Sequence, residues 1–408
     1  MTFLGAGMLS DISAQDFSLQ AETLNEARLP AQWDLQSCID YALEQNITIR
    51  KNRVTAESTQ IDVKTAKAAL FPSLSFSTSQ QVVNRPYQET SSRVSGSEII
   101  SSNSKTSYNG NYGLNASWTL YNGNKRLKTI QQEKLNNQVA ELDVATSENN
   151  IQESIAQVYI QILYAAESVK VNESTLQVSI AQRDRGQELL NAGSIAKSEF
   201  AQLEAQVSTD RYQLVTAQAT LEDYKLQLKQ LLELDGENEM HLYLPALSDE
   251  NVLSPLPAKR DVYVSALALR PEIEASKLNV NASELGIDIA KSGYLPTVSL
   301  SAGIGTNHTS GSDFTFGEQV KNGWNNSFGL SVSVPIFNNR QTKSAVQKAK
   351  LQRETNMLSL LDEQKALYKT IESLWLDANS AQQRYAAANE KLRSTQISYD
   401  LIREQFNL

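Results

Sequence analysis

The sequence predicts a mostly helical chain with a smaller β component, built as two tandem repeats of helix, strand, strand and long helical hairpin. Three observations predict it. Ala66-Lys67-Ala68-Ala69-Leu70-Phe71-Pro72-Ser73-Leu74-Ser75-Phe76-Ser77 returns in near copy as Ala290-Lys291-Ser292-Gly293-Tyr294-Leu295-Pro296-Thr297-Val298-Ser299-Leu300-Ser301. Four segments alternate apolar with small polar residues, the period of a strand. Between them run long proline-free stretches whose apolar residues recur every three or four positions, the period of a helix.

Residues 1–32 read as a signal-peptide remnant and N-terminal extension. Met1 to Leu9 is apolar and Ser13-Ala14-Gln15 suits cleavage, but no basic residues precede it, so the true start is expected further upstream. The first repeat is placed at 33–240. Trp33-Asp34-Leu35 opens a helix through Cys38, Ile39, Ala42 and Leu43, and a second helix runs from about Thr48 to Leu70. Proline cannot continue a helix and pushes its predecessor toward extended backbone, so helix becomes strand at Pro72 and Pro296.

Strands are expected at about 72–83 and 110–121, then 296–306 and 326–336. Leu74, Phe76, Leu114, Trp118, Val298, Leu300, Leu330 and Val332 fall on one face; the other is Ser, Thr, Gly and Asn. Length and alternation suit transmembrane β-strands with the apolar face toward lipid and the small polar face toward a wet lumen. Four strands leave open edges, which lipid does not tolerate, so several chains must share one barrel. The stretches 84–109 and 306–326 are expected to be surface loops.

A helical hairpin is expected over about 124–234. Its first arm is about 100 Å long at 1.5 Å per residue, and Asn191-Ala192-Gly193-Ser194 reverses the chain. The prolines Pro245, Pro255 and Pro257 mark 241–260 as a link, and 261–408 is the second repeat, ending in a long helix over about 340–408. A shift of 224 residues takes Pro72 to Pro296, and one of 216 takes Gly113 to Gly329. The same 216 sends Gly193 to position 409, so the second hairpin is expected to be truncated at the C-terminus.

A formal charge of -9 provides no basic face, so no nucleic-acid partner is expected. One cysteine and two distant histidines, His241 and His308, make no metal-ligand spacing. Leu35-Gln36-Ser37-Cys38 lacks the apolar run of a lipoprotein box, so Cys38 is expected inside a helix core. No nucleophile–base pair or phosphate loop appears, so neither enzyme chemistry nor a cofactor is expected. A secreted α-helical pore-forming toxin has no use for two copies of the unit, and a coiled-coil structural spacer leaves the four strands unexplained.

The order of these motifs resembles the TolC-like outer-membrane efflux protein family. The carriers are Trp33-Asp34-Leu35 with Cys38-Ile39 and Tyr41-Ala42-Leu43, the Lys67-Ala68-Ala69-Leu70-Phe71-Pro72-Ser73-Leu74 strand start, and the Tyr121-Asn122-Gly123 and Phe337-Asn338-Asn339 strand exits. Asn191-Ala192-Gly193 followed by Glu199 completes them. The resemblance covers residues 33–408. It implies a homotrimer with a twelve-stranded outer-membrane barrel continued by an α-helical barrel across the periplasm, meeting a periplasmic adaptor and an inner-membrane pump. It implies adaptor docking at Ala192, Gly193, Ser194 and Ile195, and an entrance gate at Ser198, Glu199 and Phe406. Ser198 and Glu199 equally suit a helix cap and a first-turn acid, and Gly193 alone equally suits a simple chain reversal.

Overall fold

The structure is a computed structural model, which describes residues 32–87, 91–95, 98–102, 105–235, 240–245, 252–310, 312 and 314–407. The expected N-terminal extension lies outside the described residues. Two compact units are present, one within Met1–Arg50 and Glu148–Asp249, the other within Lys51–Ser147 and Glu250–Leu408.

In the first unit, α1 (Leu35–Gln45) begins because the Asp34 carboxylate accepts the backbone N–H of Ser37 at 2.7 Å, supplying a partner to a donor that the first turn leaves unpaired. Asn46 ends α1 and starts α2 (Ile47–Ala68): its Oδ1 accepts from Thr48 N at 2.9 Å, while its Nδ2 donates to the Leu231 carbonyl at 3.0 Å. The core joins Trp33, Cys38 and Ala42 to Ile155, Tyr159 and Ile162 of α3 (Lys125–Asn191) and to Leu228 and Leu232 at the end of α4 (Lys197–Leu231). Trp33 N donates to the His241 carbonyl and Tyr243 N to the Trp33 carbonyl, both at 2.8 Å. The Tyr159 hydroxyl donates to the Tyr243 carbonyl. Buried polar groups here find partners, as burial demands.

The second unit holds a four-stranded antiparallel sheet in the order β1-β4-β5-β6, with β1 at Ser73–Asn84, β4 at Thr106–Asn122, β5 at Thr297–Thr309 and β6 at Asn325–Ser333. The same unit holds α5 (Lys259–Leu269), α6 (Pro271–Lys291) and α8 (Gln341–Asn407). Arg353 of α8 pairs with Glu284 of α6 at 2.6 Å, and Lys259 of α5 pairs with Glu372 of α8 at 2.9 Å while lying 4.7 Å from the Trp375 ring centroid. Gln132 Nε2 of α3 donates to the Ala282 carbonyl at 3.0 Å.

The repeat is visible in the backbone. α3 and α8 are both 67 residues long and their bounds differ by the shift of 216. That shift also superposes two left-handed corners between strand and helix, Gly123–Asn124 with φ of 66° and 64°, and Asn339–Arg340 with φ of 50° and 64°. α5 is the counterpart of α1 by the shift of 224.

Both stretches expected to be loops contain regular structure. β2 (Ser91–Ser95) and β3 (Glu98–Ser102) pair antiparallel, with Val94 opposite Ile99 and Arg93 opposite Ile100. The β-branched Val94, Ile99 and Ile100 favour extended backbone despite the surrounding serines. In the other stretch α7 (Phe316–Asn322) forms behind a capping box in which the Thr315 hydroxyl accepts from Glu318 N and the Glu318 carboxylate accepts from Thr315 N. The main sheet also runs further than expected, β1 pairing out to Asn84 opposite Thr106 and β5 out to Thr309 opposite Asn109.

Candidate functional site

Residues directly opposite one another in a ladder share a face. Register places Leu74 opposite Ala116, Phe76 opposite Leu114, Leu114 opposite Ile304, Trp118 opposite Leu300, Val298 opposite Val332 and Leu300 opposite Leu330. All eight apolar strand residues singled out from the sequence therefore lie on one side of the sheet. That side is bare: Leu74 is 69% exposed, Phe76 68%, Phe328 76% and Leu330 63%. A soluble sheet would cover such a face.

The opposite side pairs Ser73 with Ser117, Ser75 with Asn115, Ser77 with Gly113, Asn115 with Gly303, Ser117 with Ser301 and Ser301 with Gly329. Its side chains bond across strands, as when the Ser73 and Ser117 hydroxyls meet at 2.8 Å and Asn115 Nδ2 donates to Ser77 Oγ at 3.4 Å. They are short, uncharged and wettable.

Aromatic residues bound the apolar band at both ends. At the helix end, Trp118 donates its indole N–H to the Leu70 carbonyl at 2.7 Å, with exposed Tyr121 and Phe71 nearby in the chain. At the far end stand Tyr108 and Tyr112. From Trp118 to Tyr108 is ten residues of one strand, about 34 Å along it at ~3.4 Å per residue, or about 24 Å in height at a ~45° tilt. That is the height of an outward apolar band in a membrane barrel. Register shifts once, between Thr119 and Tyr121, where β4 approaches the helices.

The hairpin tip is a second exposed feature. α3 ends in a Schellman motif: Ser194 N donates to the Leu189 carbonyl at 2.8 Å and Gly193 N to the Leu190 carbonyl at 3.0 Å, with Gly193 at φ 73°. Glycine takes that conformation without a Cβ penalty. Ala192, Gly193 and Ser194 are exposed and Ile195 is half-buried. A side chain added at Gly193 would meet nothing within 4 Å.

Ser198 and Glu199 sit together, exposed, in the first turn of α4. Ser198 is not the cap. Ala196 holds that position and makes no side-chain bond. Glu199 remains a first-turn acid, where the helix dipole favours it. Phe406 falls in the last turn of α8, its side chain outside the described residues.

Sequence reasoning missed an aromatic cluster on the apolar side at its far end, where Tyr108, Tyr112, His308 and Phe316 meet. The signal was present in even-numbered Tyr108 and Tyr112, which continue the alternation of Leu114 and Trp118. Cys38 is fully buried, and burial, with the Asp34 carboxylate second, pushes its thiol up to about 12. Among the described residues no group of His, Cys, Asp and Glu is placed to hold a metal ion, and no helix is long and apolar enough to cross a membrane.

The family described as outer membrane efflux protein matches residues 38–233 and 262–408. The chain is 24% identical over 258 residues to the outer membrane efflux protein BepC of Brucella suis biovar 1 (strain 1330), covering 63% of this chain and 54% of that protein. It is 23% identical over 283 residues to the outer membrane protein TolC of Escherichia coli (strain K12), covering 66% and 55%. The chain thus spans about half the length of these relatives. A crystal structure of CusC aligns with a TM-score of 0.70 at 20% identity, covering 90% of this chain and 82% of that one, a likeness of fold.

Proposed function

Because this chain belongs to the outer membrane efflux protein family, we propose that three copies of it form a passive exit duct in an outer membrane, its helices reaching into the periplasm. The observation that carries this reading is the two-sided sheet with two open edges. Among the described residues β1 is bonded only to β4 and β6 only to β5, so each chain offers one free ladder on either side. Joining β6 of one copy to β1 of the next closes twelve strands, with the bare apolar side outward and the Ser, Thr, Gly and Asn side inward.

The helices support the same assembly. Tyr164, Val171, Tyr212 and Val215 of the first unit, and Leu358, Leu361, Leu374 and Leu392 of the second, are exposed large apolar residues on helices, which neighbouring copies would cover. Such a duct performs no chemistry. A periplasmic adaptor and an inner-membrane pump supply the driving force, the adaptor docking at Ala192, Gly193, Ser194 and Ile195. Ser198, Glu199 and Phe406 belong to the entrance gate. The wall of short neutral side chains selects little, which suits a shared outlet. The toxin and spacer readings have no support in the family.

The test is the mass of the detergent-extracted particle, intact and then denatured, followed by conductance in a planar bilayer. Three subunits and discrete conductance steps are expected; a monomer that conducts nothing would end the duct reading.

A further inference from the structure

α7 lies on the outer side of the sheet. Thr306 and His308 of β5 share the face of Leu300 and Ile304, being separated from them by even numbers of residues. Both hold α7: Thr306 Oγ1 donates to the Val320 carbonyl at 2.7 Å, and the His308 ring meets Phe316 edge-on with centroids 5.1 Å apart. A third tie runs from Thr309 N to Gln319 Oε1 at 2.8 Å.

The pin is made possible by Gly110. A Cβ there would stand 2.2 Å from His308 Cε1. With no side chain at Gly110 the imidazole drops flat toward the sheet and stacks on Tyr112 at 5.9 Å. α7 is thus fixed at the far end of the apolar band.

The exposed groups on α7 and its flanks divide by chemistry. Phe314 is 45% exposed, Phe316 58% and Trp324 57%. Glu318 is engaged in the capping box, whereas Lys321 is exposed and forms no ion pair among the described residues. Apolar rings and one amphipathic indole beside a cation at the edge of an apolar band are the composition of a membrane interface.

We propose that α7 is an in-plane anchor in the outer leaflet: Phe314, Phe316 and Trp324 enter the acyl boundary and Lys321 meets the phosphate of an anionic lipid. Two features name lipid as the occupant, the continuity of these rings with the bare band and the cation placed at its rim. The proposal rests on the barrel reading above.

The test reconstitutes the full chain in phosphatidylcholine vesicles, with and without phosphatidylglycerol, carrying brominated acyl chains. Emission lost in Trp324→Phe and in Trp118→Phe isolates each indole, and Trp118 reports on the barrel. Trp118 should be quenched, and Trp324 should be quenched about twofold more by shallow than by deep bromines. Adding phosphatidylglycerol should increase that quenching, and Lys321→Gln should remove the increase. If Trp118 is quenched while Trp324 is not, the anchor is wrong and the barrel stands; Trp324 then lies in water if acrylamide quenches it, or under a second copy if acrylamide does not. If neither is quenched, the barrel reading fails and the anchor with it. Equal Trp324 quenching with and without phosphatidylglycerol overturns the contact between Lys321 and anionic lipid.

Discussion

A charge placed at Leu114 should be expensive for a reason that depends on depth. In β4 Leu114 is four residues from Trp118 and six from Tyr108, so it lies near mid-height of the aromatic-bounded band, with Phe76 and Ile304 on either side in register. Leu114→Arg should therefore cost about 2 to 4 kcal/mol, the penalty for a cation on the lipid side near a bilayer midplane. Leu330 shares that outer face through its register with Leu300, and the same change there should also be unfavourable. Asn115 is next to Leu114 but faces the other side, so Asn115→Arg should scarcely alter insertion. Equilibrium folding into phosphatidylcholine vesicles, followed by urea titration at one protein concentration, would measure all three. Equal costs at Leu114 and Asn115 would refute the assignment of faces, and a cost at Leu114 of about 1 kcal/mol or less would refute its depth.

Other outcomes follow from single contacts. Gly193→Val should cost about 1 to 2 kcal/mol through its left-handed backbone, while Gly193→Asn, which tolerates that backbone, should fold normally; if the tip docks an adaptor, both should lower efflux in a resistance assay without lowering the amount in the outer membrane. Asn46→Ala removes the acceptor of Thr48 N and the bond to Leu231 and should lower stability by about 1 to 2 kcal/mol in thermal unfolding. Cys38 should resist iodoacetamide at neutral pH until the chain is denatured, since its thiol is buried and un-ionised; rapid labelling of the folded chain would contradict the burial. The Asp34 carboxylate is held below its usual value by the Ser37 hydroxyl and backbone N–H. Its contribution is therefore complete above the ordinary aspartate value of about 3.9 and fades as pH falls through the lower folded value. The melting-temperature gap to Asp34→Ala should be flat from neutral pH down to that range and then close.

The sequence carried the repeated unit openly, because two prolines and four runs of alternation are local signals. The two faces of the sheet were equally legible, since a strand's period of two sorts Leu74 and Phe76 from Ser73 and Ser75 without any tertiary knowledge. What escaped was non-local or short. Trp33 completes its core by pairing with Leu242, a contact no window of residues can contain. α5 was hidden behind Pro255 and Pro257, which read as linker although they only precede it. α7 has seven residues, too few for periodicity to show, and its one signal, Thr315 followed by Glu318, sat in a polar stretch. Ser198 was legible as an α4 first-turn residue, but its distance from the cap required the exact end of the Schellman turn.

The paired left-handed corners carry a geometric consequence for any closed assembly. A ring shuts only if its members agree on the angle at which wall gives way to stem, and here each chain sets that angle twice, at Gly123–Asn124 and at Asn339–Arg340. The first is wedged: a Cβ on Gly123 would lie 2.9 Å from both Leu295 Cβ and the Ser292 carbonyl oxygen. In a threefold ring one misfitting methyl there is copied three times around the circumference, so its angular error accumulates. Closure, more than the fold of the single chain, is where a mistake at this joint would register.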